Sequence, residues 1–180
     1  MIGLRVLIIT VSIGFISACF SNEHQMLVTY REKISKAEQA ELRGDYQLAE
    51  IGYAEAVSIA DSGKWVDGMV SARRNLALMK TINGRPWEAE NLLVEAWQLC
   101  LNESSCQGLD ALCSQIVRHF VMSKKQPDEA EKYIRELGQR SERIELPETL
   151  KRRLTEYAEI MKENGFQDQS KALSDWANGL

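Results

Sequence analysis

Gly44-Asp45-Tyr46-Gln47-Leu48-Ala49, Gly84-Arg85-Pro86-Trp87-Glu88-Ala89 and Lys125-Gln126-Pro127-Asp128-Glu129-Ala130 are three versions of one patch, whose closing alanines stand 40 and 41 residues apart. A weaker fourth version, Asn164-Gly165-Phe166, leads to Ser170 after another 40 residues. Repetition at this length is the mark of stacked supersecondary units. After each patch apolar and small residues recur four and three apart, as in Ala49, Tyr53, Ala56, then Ala89, Leu93, Ala96, then Ala130, Ile134, Leu137. That spacing places one stripe on one helical face. A second run precedes each patch: Ala37 and Ala40; Ala72, Leu76 and Met79; Val117 and Val121; Leu154, Tyr157, Ala158 and Met161. Each unit therefore reads as two helices joined by a tight turn.

Working outward, the breakers agree with the stripes. Asp45 is a helix cap, Pro86 and Pro127 sit in a first turn where proline is tolerated, and Pro147 opens another helix. Gly44, Gly84 and Gly165 stand at helix ends, where a positive φ is often required. The pattern predicts helices over 24–43, 46–61, 64–82, 86–102, 107–124, 127–143, 147–163 and 166–177. Three prolines and 11 glycines in 180 residues argue against a turn-dense sandwich or barrel. At 44% hydrophobic and 27% charged, the chain has the composition of one ordinary domain with a continuous core.

The repeated hairpin resembles the tetratricopeptide repeat, in which a small residue on each helix allows close packing. Ala49 and Ala56, Ala89 and Ala96 match the small positions of the second helix, and Leu76-Ala77 matches the first-helix pair of the second unit. The resemblance covers 24–177 and implies an all-α superhelical array of four hairpins that binds other proteins. It also implies an inner groove lined by first-helix residues: Ile34, Glu38, Arg74, Leu78, Gln115 and His119, followed by Thr155 and Glu159. The chain departs from the family in two ways. The family period is about 34 residues, so helices or connections here are longer, and Lys33 and Lys36 stand where the first unit should be apolar. The set of Lys, Arg and Asn positions that clamps a C-terminal carboxylate in chaperone-binding members is not present, although Asn75 falls on one of them.

Residues 1–18 read as an address rather than as structure. Arg5 precedes an uncharged apolar run from Val6 to Ile16, then the small residues Ser17 and Ala18. The run is too short for a bilayer-spanning helix, which needs roughly 20 residues. Ile16-Ser17-Ala18-Cys19 resembles the lipobox of bacterial lipoproteins. The resemblance implies a diacylglyceryl thioether on Cys19, cleavage before it and N-acylation of the new terminus. Several acyl chains give stable anchoring where one would be marginal. Phe20 rather than Asp after the cysteine fits the pattern sent on to the outer membrane, facing the periplasm. The domain plan is a signal peptide at 1–18, a lipidated tether at 19–23 and a repeat domain at 24–180.

Little in the repeat domain carries chemistry. No HExxH, GxSxG, P-loop or glycine-rich dinucleotide fingerprint occurs, and the only histidines are His24 and His119, so an enzyme is not expected. The formal charge of −4, which becomes −5 without the leader and its Arg5, does not point to nucleic acid. Cys100, Cys106 and Cys113 cluster around one helix connection. In an oxidising compartment one disulfide is expected there, Cys100 with Cys106 being favoured and Cys106 with Cys113 the alternative. No CxxC pair accompanies them, so neither metal nor cofactor is expected. Of the tryptophans Trp65, Trp87, Trp97 and Trp176, most should pack between repeats, and an exposed one would mark a partner site. Together these readings predict a membrane-anchored adaptor or scaffold for an envelope assembly, such as secretion, pilus or cell-wall machinery. The alternative is a periplasmic binder of a small ligand or cell-wall fragment near His119, Trp87 and Trp97.

Overall fold

The computed structural model describes residues 23–103, 106–141 and 147–180. The expected signal peptide and Cys19 lie outside these residues. The described chain is helical and antiparallel throughout: α1 over 23–42, α2 Tyr46–Gly63, α3 Val66–Ile82, α4 Pro86–Leu101, α5 Leu109–Arg118, α6 Pro127–Ser141, α7 Pro147–Glu163 and α8 Gln167–Asn178. A π-helical segment, His119–Lys124, continues α5. These elements fall within a few residues of the ranges read from the sequence.

The turns form because one residue after each first helix adopts the left-handed conformation. Gly44, Gly84 and Gly165 have φ of 78°, 79° and 88°. The next amide then bonds back five residues, Asp45 N to Ala40 O at 2.9 Å, Arg85 N to Lys80 O at 2.8 Å and Phe166 N to Met161 O at 3.0 Å. These bonds satisfy carbonyls that the helix end would orphan. The Asp45 carboxylate then caps α2 by accepting from Leu48 N at 3.1 Å.

The third unit differs in one respect, and the difference explains its period. There the left-handed position belongs to Lys125, at φ 57°, and Gln126 N reaches back six residues, to Phe120 O at 2.8 Å. The extra residue behind the 41-residue step is absorbed as the π-helical segment. A π-bulge is the usual way to insert one residue without breaking a helix.

Packing follows the stripes. Ala49, Ala56, Ala60, Ala89, Ala96 and Ala130 are all fully buried at helix–helix contacts. Gly52 approaches Ala37 so closely that an added β-carbon would lie 2.8 Å from the Ala37 Cβ. The core is divided into a smaller group around Ala37, Ala40, Tyr53, Leu76 and Met79 and a larger one running from Val70 to Ala177. Cross-unit hydrogen bonds join residues one repeat apart: Gln115 Nε2 donates to Arg74 O at 2.8 Å, and Arg140 Nη1 to Cys100 O at 2.8 Å. Such bonds set the register with which one hairpin stacks on the next. Cys100 and Cys106 form a disulfide with Cα atoms 5.2 Å apart, within the range that a disulfide spans, and Cys113 is a buried free thiol.

Candidate partner-binding surface

The first helices supply the surface that the family resemblance places in the groove, and the structure separates its expected residues into two kinds. Glu38 and Leu78 are exposed. Ile34 is half-buried against the smaller core group. Arg74 is half-buried, with its guanidinium donating to Asn75 Oδ1 at 3.2 Å, while Gln115 is committed to the Arg74 carbonyl. His119 does not line an open surface: it is 4% exposed and packs edge-on against Phe120. Stacking on α4 covers it, a tertiary effect that helical periodicity does not show. Of the two residues further along, Thr155 turns its hydroxyl back to Lys151 O at 3.0 Å, and Glu159 is exposed.

His119 is held neutral by its surroundings. Burial pushes its pKa down, opposed by Glu90, whose carboxylate lies 3.9 Å from Nε2, and assisted by Lys124. At that distance no hydrogen bond forms, and neither ring nitrogen has a partner within the protein. Glu90 instead pairs with Lys124 at 3.0 Å. Cys113 is held as a thiol: burial pushes it up to about 12, with an opposing contribution from Tyr157. A thiol so far above its ordinary value supplies almost no thiolate for attack.

The tryptophans divide in the same way. Trp97 is buried and donates from Nε1 to Glu136 Oε2 at 2.6 Å, bridging α4 and α6. Trp176 lies over Gly138, where an added β-carbon would meet its ring at 2.3 Å. Trp65 is half-buried, its ring edge-on to Tyr30. Trp87 is 61% exposed. Leu42, Tyr46, Ile82 and Met122, at or beside the hairpin turns, are also exposed apolar side chains. Among the described residues no group of three His, Cys, Asp or Glu side chains is placed to hold a metal ion, and no helix is long and apolar enough to cross a membrane.

One polar group that the sequence reading missed ties the first two units together. Glu50 of α2 accepts from Asn83 Nδ2 at 2.7 Å, from Lys80 Nζ at 2.9 Å and from the Arg85 guanidinium. Burial pulls its carboxyl up, but these three donors outweigh burial and hold it below the ordinary carboxylate value. A signal for it was available, because Glu50, Glu90 and Glu131 each directly follow the buried alanine of their repeat.

No family model matches the chain, and no curated protein matches it in sequence. Among solved structures it is similar to a crystal structure of nearly identical TPR-like repeats from a Podospora anserina protein described as a kinesin light chain. The similarity has a TM-score of 0.63 at 18% identity and covers 82% of this chain and 72% of that one. With stacked antiparallel hairpins, small residues at their close contacts and cross-unit bonds one repeat apart, the described residues have the tetratricopeptide-like fold.

Proposed function

We propose that this chain is a lipid-anchored adaptor of the bacterial cell envelope, which holds a protein partner at the membrane, facing the periplasm, and catalyses nothing. The observation that carries the reading is the joining of a lipobox-like Ile16-Ser17-Ala18-Cys19 to a tetratricopeptide-like array that begins at residue 23. An array of stacked helices offers an extended rigid surface rather than a closed pocket, the form suited to recognising another polypeptide. His119 and Cys113, the two side chains with nucleophile or base chemistry in the middle of the array, are buried away from any substrate, and the cysteine is held as its thiol. The Cys100–Cys106 disulfide accords with an oxidising compartment. The outer membrane is the destination proposed, on Phe20 following the lipidated cysteine.

Metabolic labelling with palmitate tests the anchor. The wild-type chain should take up label and fractionate with membrane, and Cys19→Ser should do neither. A Cys19→Ser chain that remains labelled and membrane-bound overturns the anchor. The adaptor role is tested by placing a photo-crosslinking residue at Leu42, Leu78, Ile82 or Trp87 in the lipidated protein. Crosslinks to one envelope protein in living cells are expected, and their absence at every position would remove this role.

A further inference from the structure

The first unit carries half of an inter-unit interface with nothing from the described chain against it. In the second unit, Arg73 joins Glu95 of its own hairpin at 3.1 Å and Asp61 of the preceding α2 at 2.7 Å. One repeat earlier, 40 residues back, Lys33 joins Glu55 at 2.6 Å in the same intra-unit pairing. Among the described residues no counterpart of Asp61 precedes it. Likewise Asn83 reaches the Glu50 of the preceding helix, and in the third unit Lys124 reaches Glu90, but Arg43, which stands at the Asn83 position, faces solvent. Between these two bases Ala37, Leu48, Ile51 and Gly52 line an open groove, with Ile51 58% exposed. End repeats of a solenoid ordinarily carry a polar outer face. The opposite end of this chain is mostly polar, since the exposed residues of α8 are Gln167, Asp168, Lys171, Asp175 and Asn178 with Ala172.

We propose that the N-terminal face of the first hairpin is a docking site for an amphipathic helix of a partner protein that carries two acidic residues three turns apart. The second unit shows the complementary surface. There α2 presents Glu50 and Asp61, eleven residues apart, with Tyr53, Ala56 and Ala60 between them. Three helical turns take about 10.8 residues, so both acids lie on one face, where Asp61 meets Arg73 and Glu50 meets Asn83, Lys80 and Arg85. Lys33 stands at the Arg73 position and Arg43 at the Asn83 position, and both offer a positive charge there to a helix from outside. A second copy of this chain does not supply that helix: Lys171 stands where Glu50 and Glu90 stand in earlier units, and it would meet Arg43 with like charge. Residues 19–22, the length left after the expected cleavage, are too few for a helix of their own. The inference rests on the adaptor reading and specifies the chemistry of its partner.

The test uses the lipidated protein in detergent micelles. The probe is a stapled fluorescent peptide of the α2 sequence Tyr46–Gly63, carrying Leu48→Ala and Ile51→Ala so that it presents only the surface α2 turns to the second unit. Fluorescence anisotropy should show saturable binding, weakened at least tenfold by Ile51→Glu in the protein, with the protein's thermal melt unchanged. Arg43→Glu should weaken binding comparably, and a peptide with Glu50→Lys should restore it. No binding, indifference to Ile51→Glu or failure of the charge reversal would overturn the proposal. A dimer in sedimentation that Ile51→Glu dissociates would assign the face to a second copy instead. Loss of peptide binding on transfer to phosphatidylglycerol vesicles would assign it to the bilayer. If partner crosslinks form at Leu78, Ile82 or Trp87 while the peptide does not bind, the adaptor reading stands and this inference fails; peptide binding without any envelope crosslink reverses that outcome.

Discussion

Replacing Gly52 with alanine sets helix propensity against close packing, and the structure indicates which prevails. Gly52 lies inside α2, where alanine is favoured over glycine by about 1 kcal/mol. The new methyl would, however, lie 2.8 Å from the Ala37 Cβ and 3.4 Å from its Cα, atoms attached to the α1 backbone with no side chain that can rotate away. Ordinary contact between such carbons begins near 3.4 Å, so α1 and α2 must move apart by several tenths of an ångström. That movement loosens the packing around Tyr53, Ala40 and Met79, and overpacking of this kind costs about 1–3 kcal/mol. The net effect is a loss of about 1 kcal/mol, which lowers the melting temperature of a domain of this size by roughly 2–4 °C. The reciprocal double variant, Ala37→Gly with Gly52→Ala, keeps one methyl at the crossing and should melt close to wild type. Thermal denaturation followed by circular dichroism, with all three variants at one pH, measures this. A Gly52→Ala protein that melts higher than wild type would refute the claim that this crossing is at closest approach.

Three further outcomes follow from particular residues. Lys125 occupies the left-handed position that glycine fills in the other three units, so Lys125→Gly should stabilise the protein by about 1 kcal/mol in a denaturant melt, less whatever its exposed contact with Asn164 contributes. Because burial lowers the folded-state pKa of His119, the unfolded chain binds the proton more readily; stability should be complete above the ordinary histidine value near 6.5 and decline as pH falls below it. Melts between pH 7 and pH 5 should show a smaller decline for His119→Phe than for wild type, and equal declines would assign the effect elsewhere. In the chain-entropy account closing the short Cys100–Cys106 loop stabilises by about 2 kcal/mol, so reduction should lower the melting temperature, while Cys113 should react with a maleimide only after unfolding.

The architecture was legible in the sequence because its signals are local. A left-handed glycine, a capping aspartate and a first-turn proline act within a few residues of themselves, and the spacing of Ala49, Ala89 and Ala130 repeats them often enough to set the register. The change of step from 40 to 41 was visible too, but where the added residue goes was decided by stacking. Both α4 and α6 pack against the end of α5, so the insertion is taken up inside the helix as the π-helical segment instead of lengthening a loop. The expected surface was less legible. Helical periodicity assigns His119 to a face, but only the neighbouring unit decides whether that face meets water, and α4 covers it. Lys33 and Lys36 stood out in the sequence as departures from an apolar pattern, yet the meaning of Lys33 depends on Arg73 one repeat later, whose acidic partner Asp61 lies in the preceding helix. Local conformation is thus carried by neighbours in the chain, whereas burial and the pairing of charges belong to contacts about 40 residues away, which exist only once the hairpins have stacked.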